Sequence, residues 1–129
     1  DAALAAPELD DAGFAVYVVQ NARLHALLAE MCGSALVARQ LDKAKALPFA
    51  SPNGFVMAQA HGPGARDVLV VAQAQHHMLI DAIVQREGAR AEALMREHAR
   101  IARRNLQQAL HDQHALRRVP GASLIRRAR

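Results

Sequence analysis

Val68-Leu-Val-Val71-Ala72-Gln-Ala-Gln-His76-His-Met-Leu79-Ile-Asp-Ala-Ile83-Val-Gln-Arg86-Glu87-Gly88-Ala-Arg90-Ala91-Glu92-Ala-Leu94-Met95-Arg-Glu-His98-Ala-Arg-Ile101-Ala102 is the stretch that decides the fold. Val68, Val71, Ala72, Leu79 and Ile83 return at helical steps, and so do Ala91, Leu94, Met95, Ile101, Ala102 and Leu106. That is the period of helices that each bury one face. The spacing predicts one helix from about Ala65 to Arg86, with Gly88 as the left-handed residue beyond its end, and another from about Ala89 to the region of His111. A connection as short as Glu87 to Ala89 makes them an antiparallel hairpin, in which residues equidistant from the turn face each other. His76 and His98 each stand eleven residues from Glu87. At about 1.5 Å of rise per residue both lie roughly 16 Å from the turn, so they meet at one level.

Toward the N-terminus, Phe14, Val18, Asn21, Ala22, His25, Leu28 and Ala29 keep the same period, with Asp10 or Asp11 placed to cap the helix and Gly33 to end it. Ser34 is the expected N-cap of a further helix through Leu47, with Leu36, Val37, Leu41 and Ala44 inward, Arg39, Lys43 and Lys45 outward, and Pro48 as the stop. Turn formers fill Pro48 to Gly54, Phe55 to Ala60 reads as a short helix, and His61-Gly-Pro-Gly64 breaks the chain again. The tail from Val119 reads as irregular, with Leu124 and Ile125 pinned to the bundle. No strand pattern or internal repeat occurs, so the fold class is all-α, an antiparallel helical bundle.

The 129 residues are 52% hydrophobic and carry a formal charge of +4, which excludes a disordered chain and fits one domain. Cys32 is the single cysteine, so no internal disulfide forms; it reads as a buried small apolar residue in a reducing, cytoplasmic setting. Gln20, Gln75, His76 and His77 interrupt the most apolar runs before they reach membrane-spanning length. The chain opens Asp1-Ala-Ala without an initiator Met, so position 1 reads as a cut. Eleven Arg lie from Arg86 onward, with no aromatic residue among them. Without a stacking platform, this reads as a solvated or subunit-facing surface rather than a nucleic-acid site.

Asn21 and His25 lie four apart on the apolar stripe of their helix, His76 lies among Val68, Val71, Ala72, Leu79 and Ile83, and His98 among Ala91, Leu94, Met95, Ile101 and Ala102. Each buried imidazole costs about 1–3 kcal/mol for every unsatisfied nitrogen. A divalent cation, Zn or Ni, held by the three imidazoles and the Asn21 oxygen satisfies them together and leaves positions open for a carboxylate. The alternative is that each histidine is satisfied separately by a backbone carbonyl or a neighbour. His77 is turned 100° from His76 and reads as a side or interface residue within reach of the pocket. Asn105, seven residues past His98, can lend an amide to it. His61, His111 and His114 read as solvated. Glu-x-x-His, His-Glu-x-x-His, Gly-x-Ser-x-Gly and phosphate-loop motifs are absent, and Glu97 points sideways from His98, so no general base serves a hydrolase. The reading is non-enzymatic, with a helical metalloenzyme or a plain interaction bundle as alternatives.

The stretches Asn21-Ala-Arg-Leu-His25, Gln75-His76-His-Met-Leu-Ile-Asp-Ala-Ile83 and Arg90 to His98 resemble the FCD-type C-terminal effector domain of GntR-family transcription regulators. Leu47-Pro-Phe-Ala-Ser-Pro52, Arg103-Arg-Asn-Leu106 and Val119 to Ile125 resemble the vanillate-regulator subgroup further. The resemblance implies a helical bundle with a divalent metal at Asn21, His25, His76 and His98, beside a small carboxylate effector, with aromatic acids among the candidates; on the helix reading above, His77 and Asn105 join the same four as effector-binding candidates. Asn21 stands where the family most often has Asp. The resemblance also implies a homodimer, a winged helix-turn-helix preceding this part for DNA binding, and earlier helices, carrying an effector-binding Arg, that this chain lacks.

Overall fold

The structure, a computed structural model, describes residues 2–4, 10–46 and 64–111, apart from the side chains of 2, 106 and 108–111. The expectations for the 48–63 loops and short helix, His61, His114, the 119–125 tail, and the side chains of Leu106 and His111 fall outside them. A 3₁₀ turn, Ala2–Leu4, precedes helices α1 (Asp11–Met31), α2 (Ala35–Lys45), α3 (Ala65–Val84) and α4 (Gly88–His111). No strand occurs among the described residues, and the chain is an all-α bundle as its periodicity predicts.

Local chemistry sets the helix ends. Asp10 caps α1, its Oδ1 accepting the Gly13 N–H at 2.7 Å, and Ser34 caps α2, its Oγ accepting the Val37 N–H at 3.3 Å. Between them Gly33 takes φ 63°, a left-handed conformation that only glycine adopts without strain. The α3–α4 connection differs from expectation. The left-handed residue is Arg86, at φ 59°, not Gly88, which begins α4. The Arg86 N–H donates to Ile83 O at 3.0 Å and the Glu87 N–H to Ala82 O at 2.8 Å, the paired bonds of a Schellman turn. Closing the loop within those three residues forces a non-glycine residue into the left-handed position. Arg90 then spans the turn, 3.0 Å from Asp81 and 2.7 Å from Glu87.

The most extensive packing is between α3 and α4, which confirms the antiparallel hairpin. The buried side of α3 is Leu69, Ala72, His76, Leu79 and Ala82. Leu69 joins Leu4, Phe14 and Tyr17 in an apolar cluster, and the Arg66 guanidinium donates to Leu4 O at 2.9 Å. The 3₁₀ turn and α1 are thereby held against the start of α3. Burial pushes the Tyr17 hydroxyl up to about 12, so it stays neutral.

Some inward assignments fail. Ala22 and Val71 are exposed, and α2 buries nothing: Leu36, Val37 and Leu41 all face outward from the described bundle. Periodicity shows which face of α2 is apolar, but among the described elements α2 packs mainly against α1, so that face is left open. Lys45, expected outward, is half-buried. Cys32 is exposed, because it sits at the end of α1 beyond the packed turns. No described helix is long and apolar enough to cross a membrane.

Candidate metal centre

Three helices converge on one point. α1 brings Asn21 and His25 one turn apart, α3 brings His76, and α4 brings His98. His76 is 2% and Asn21 6% exposed, while His25 and His98 are half-buried. The His76 and His98 Nε2 atoms are 3.2 Å apart, with ring centroids separated by 4.5 Å. The His25 ring stands 5.5 Å from each, edge-on to His76 and stacked on His98. One nitrogen from each ring lies within 4.8 Å of the others, a group that could hold a metal ion.

Electrostatics keep the imidazoles neutral. Burial, then the proximity of His98, His25 and His77, pushes His76 down to about 3. Burial and His25 push His98 down to about 4. His25 is lowered by burial and by the Lys45 ammonium. Imidazoles held neutral, His76 and His98 well below physiological pH, have their lone pairs available, which is the form a metal binds. With metal–nitrogen distances of about 2.0–2.1 Å, neighbouring ligand nitrogens on one ion stand about 2.9–3.4 Å apart. His76 and His98 already have that separation, and His25 has to swing inward. Three neutral imidazole nitrogens suit a borderline transition metal better than Mg or Ca.

Sequence reasoning missed the glutamines around the rings. Gln73 Oε1 accepts from His76 Nδ1 at 3.3 Å, and Gln75 Oε1 accepts from His98 Nδ1 across the hairpin at 3.1 Å. The Gln73 amide nitrogen lies 3.2 Å from His77 Nε2. The i,i+3 and i,i+4 spacings from Gln73 were the available signal.

A cavity of about 420 Å³ adjoins the cluster. It is walled by Val16, Tyr17, Gln20, Asn21 and Leu24 of α1, Gln73, His76, His77 and Ile80 of α3, and Ala3. This volume is in the range of small-molecule sites. Its described wall contains Asn21, His76 and His77 but no Lys or Arg. Asn105 is 5% exposed and lines a separate cavity of about 270 Å³ with Asp67, Val68, Val71, Ile101 and Arg104, further from the turn than the histidine level. Seven residues carry it about 10 Å along α4. Glu97 is held by Arg100 at 2.6 Å, consistent with its sideways direction.

Residues 1–101 match the FCD domain, and the chain belongs to that family, the effector-binding domain of GntR-family regulators. FCD domains are regulatory, effector-binding domains. No curated protein and no solved structure matches the chain.

Proposed function

We propose that residues 1–129 act as the effector-sensing part of a DNA-binding transcription regulator in the cytoplasm, responding to a small carboxylate, an aromatic acid in particular. The observation that carries this reading is the convergence of three neutral imidazoles from α1, α3 and α4 beside a cavity of ligand size. A divalent ion, Zn or Ni, would be held by His25, His76, His98 and the Asn21 oxygen. It would supply the positive charge that the described cavity wall lacks, which a carboxylate needs to leave water. Asn21 and His77, which line the cavity, would contact the effector. Asn105 contacts it only if the ligand extends toward the second cavity. The aromatic preference rests on the likeness to vanillate regulators and on the apolar wall of Val16, Leu24 and Ile80.

An amide oxygen in place of a carboxylate at position 21 leaves the ion's charge less compensated. That weakens the metal site and strengthens its pull on an anion. The effector then acts by population shift in a homodimer, favouring one arrangement of subunits by the difference in its affinity for the two. DNA contact, on this reading, belongs to a winged helix-turn-helix elsewhere in the regulator. Thermal unfolding of Zn- or Ni-loaded protein with a panel of aromatic carboxylates tests the proposal. A carboxylate should raise the melting temperature of the loaded protein and leave the metal-stripped one unchanged, since a ligand stabilises the state it binds. No shift with any carboxylate on loaded protein would favour a plain interaction bundle, and turnover dependent on the histidines would revive the metalloenzyme.

A further inference from the structure

We infer that Gln73 and Gln75 are the positioning residues of this centre, each fixing one histidine as the Nδ1–H tautomer so that the Nε2 lone pairs of His76 and His98 face one point between α3 and α4. The inference takes its purpose from the metal reading above, but its geometry is tested separately.

A carbonyl oxygen only accepts hydrogen bonds, so the contacts of Gln73 Oε1 with His76 Nδ1 and of Gln75 Oε1 with His98 Nδ1 place a proton on each Nδ1. A neutral imidazole carries a single N–H, which leaves both Nε2 atoms as acceptors. Those two nitrogens are 3.2 Å apart, a hydrogen-bond distance in any state where one of them carries a proton; the two glutamine contacts take both available protons and leave none for it. With no proton between them they repel, and a cation between them turns that repulsion into coordination. The Gln73 amide nitrogen is engaged with His77 Nε2, so its oxygen is the atom left for His76. Gln75 acts across the hairpin: a residue of α3 orients a ring of α4, so ring orientation is coupled to helix packing. Partners of this kind commonly contribute 10–100-fold in metal affinity. Both are carboxamides, so they orient the rings without adding negative charge beside an anion-binding site.

Two measurements test the assignment. In metal-free protein at neutral pH, nitrogen-resolved NMR of the histidine rings should show the Nδ1–H tautomer for His76 and His98, and Gln75→Leu should release His98 to the Nε2–H form that free imidazole side chains prefer. In a chelator competition with Zn, Gln75→Leu and Gln73→Leu should weaken binding about 10–100-fold with helix content retained, and Gln75→Glu should restore it. Nδ1–H tautomers in protein that takes up no metal would uphold the positioning role and remove the metal reading. Nε2–H on either ring of the wild-type protein overturns the inference, as does unchanged Zn affinity in both leucine variants of a protein that binds Zn.

Discussion

His76 is both the most buried polar side chain of the described bundle, at 2% exposure, and the residue with the most strongly lowered basicity. The consequence for stability follows from linkage. The unfolded chain takes a proton on each histidine below about 6.5, whereas folded His76 resists protonation down to about 3 and His98 to about 4. Stability is therefore full above about pH 6.5 and is lost progressively as pH falls toward 3. The melting temperature of metal-free protein should decline across that window, and replacing both residues by Gln should flatten the decline. A flat wild-type profile would contradict the account. At this scale the sequence was legible where residue type and burial conflict: Asn21, His25, His76 and His98 stand out because polar groups interrupt apolar stripes. Gln73 and Gln75 were not, because a glutamine beside a stripe reads as surface until the ring it touches is placed. Asn105 shares a helix face with His98, but its distance along α4 carries it to another cavity.

At the scale of elements, the caps by Asp10 and Ser34 and the hairpin register were legible because they depend on local chemistry and counting. The closing turn was not. Glycine preference pointed to Gly88, while loop closure put Arg86 at φ 59°. The left-handed conformation costs a side-chain-bearing residue about 1–2 kcal/mol, partly offset by the added freedom of glycine in the unfolded chain. Arg86→Gly should accordingly stabilise the protein by about 0.5–1 kcal/mol in urea unfolding. Gly33→Ala should destabilise it by about 1 kcal/mol through its φ of 63° alone, since a Cβ there meets no atom within 4 Å. A destabilised Arg86→Gly would contradict this assignment of backbone strain.

At the scale of the molecule, the bundle's apolar surface divides into a small cluster and open faces. Leu69, 3% exposed against Leu4, Phe14 and Tyr17, anchors the packing of α1 on α3. Leu69→Ala should cost about 2–5 kcal/mol. Leu36, 60% exposed on α2, should cost no more than about 0.5 kcal/mol when replaced by Gln. Equal effects would mean that α2 is covered in solution. A helical period reports that a face is apolar, not whether a partner covers it, which is why the outward face of α2 was misread while the α3–α4 hairpin, with its partner one turn away, was not.

Three helices fold around a histidine set that could hold a metal ion, and metal binding by that set is the core of the proposed function. Its most direct test is the metal content of protein purified without chelator, by elemental mass spectrometry, beside the His76→Ala/His98→Ala variant with helicity verified. Close to one Zn or Ni per wild-type chain and loss of that metal from the variant are expected; equal content in both would rule out metal binding by these histidines.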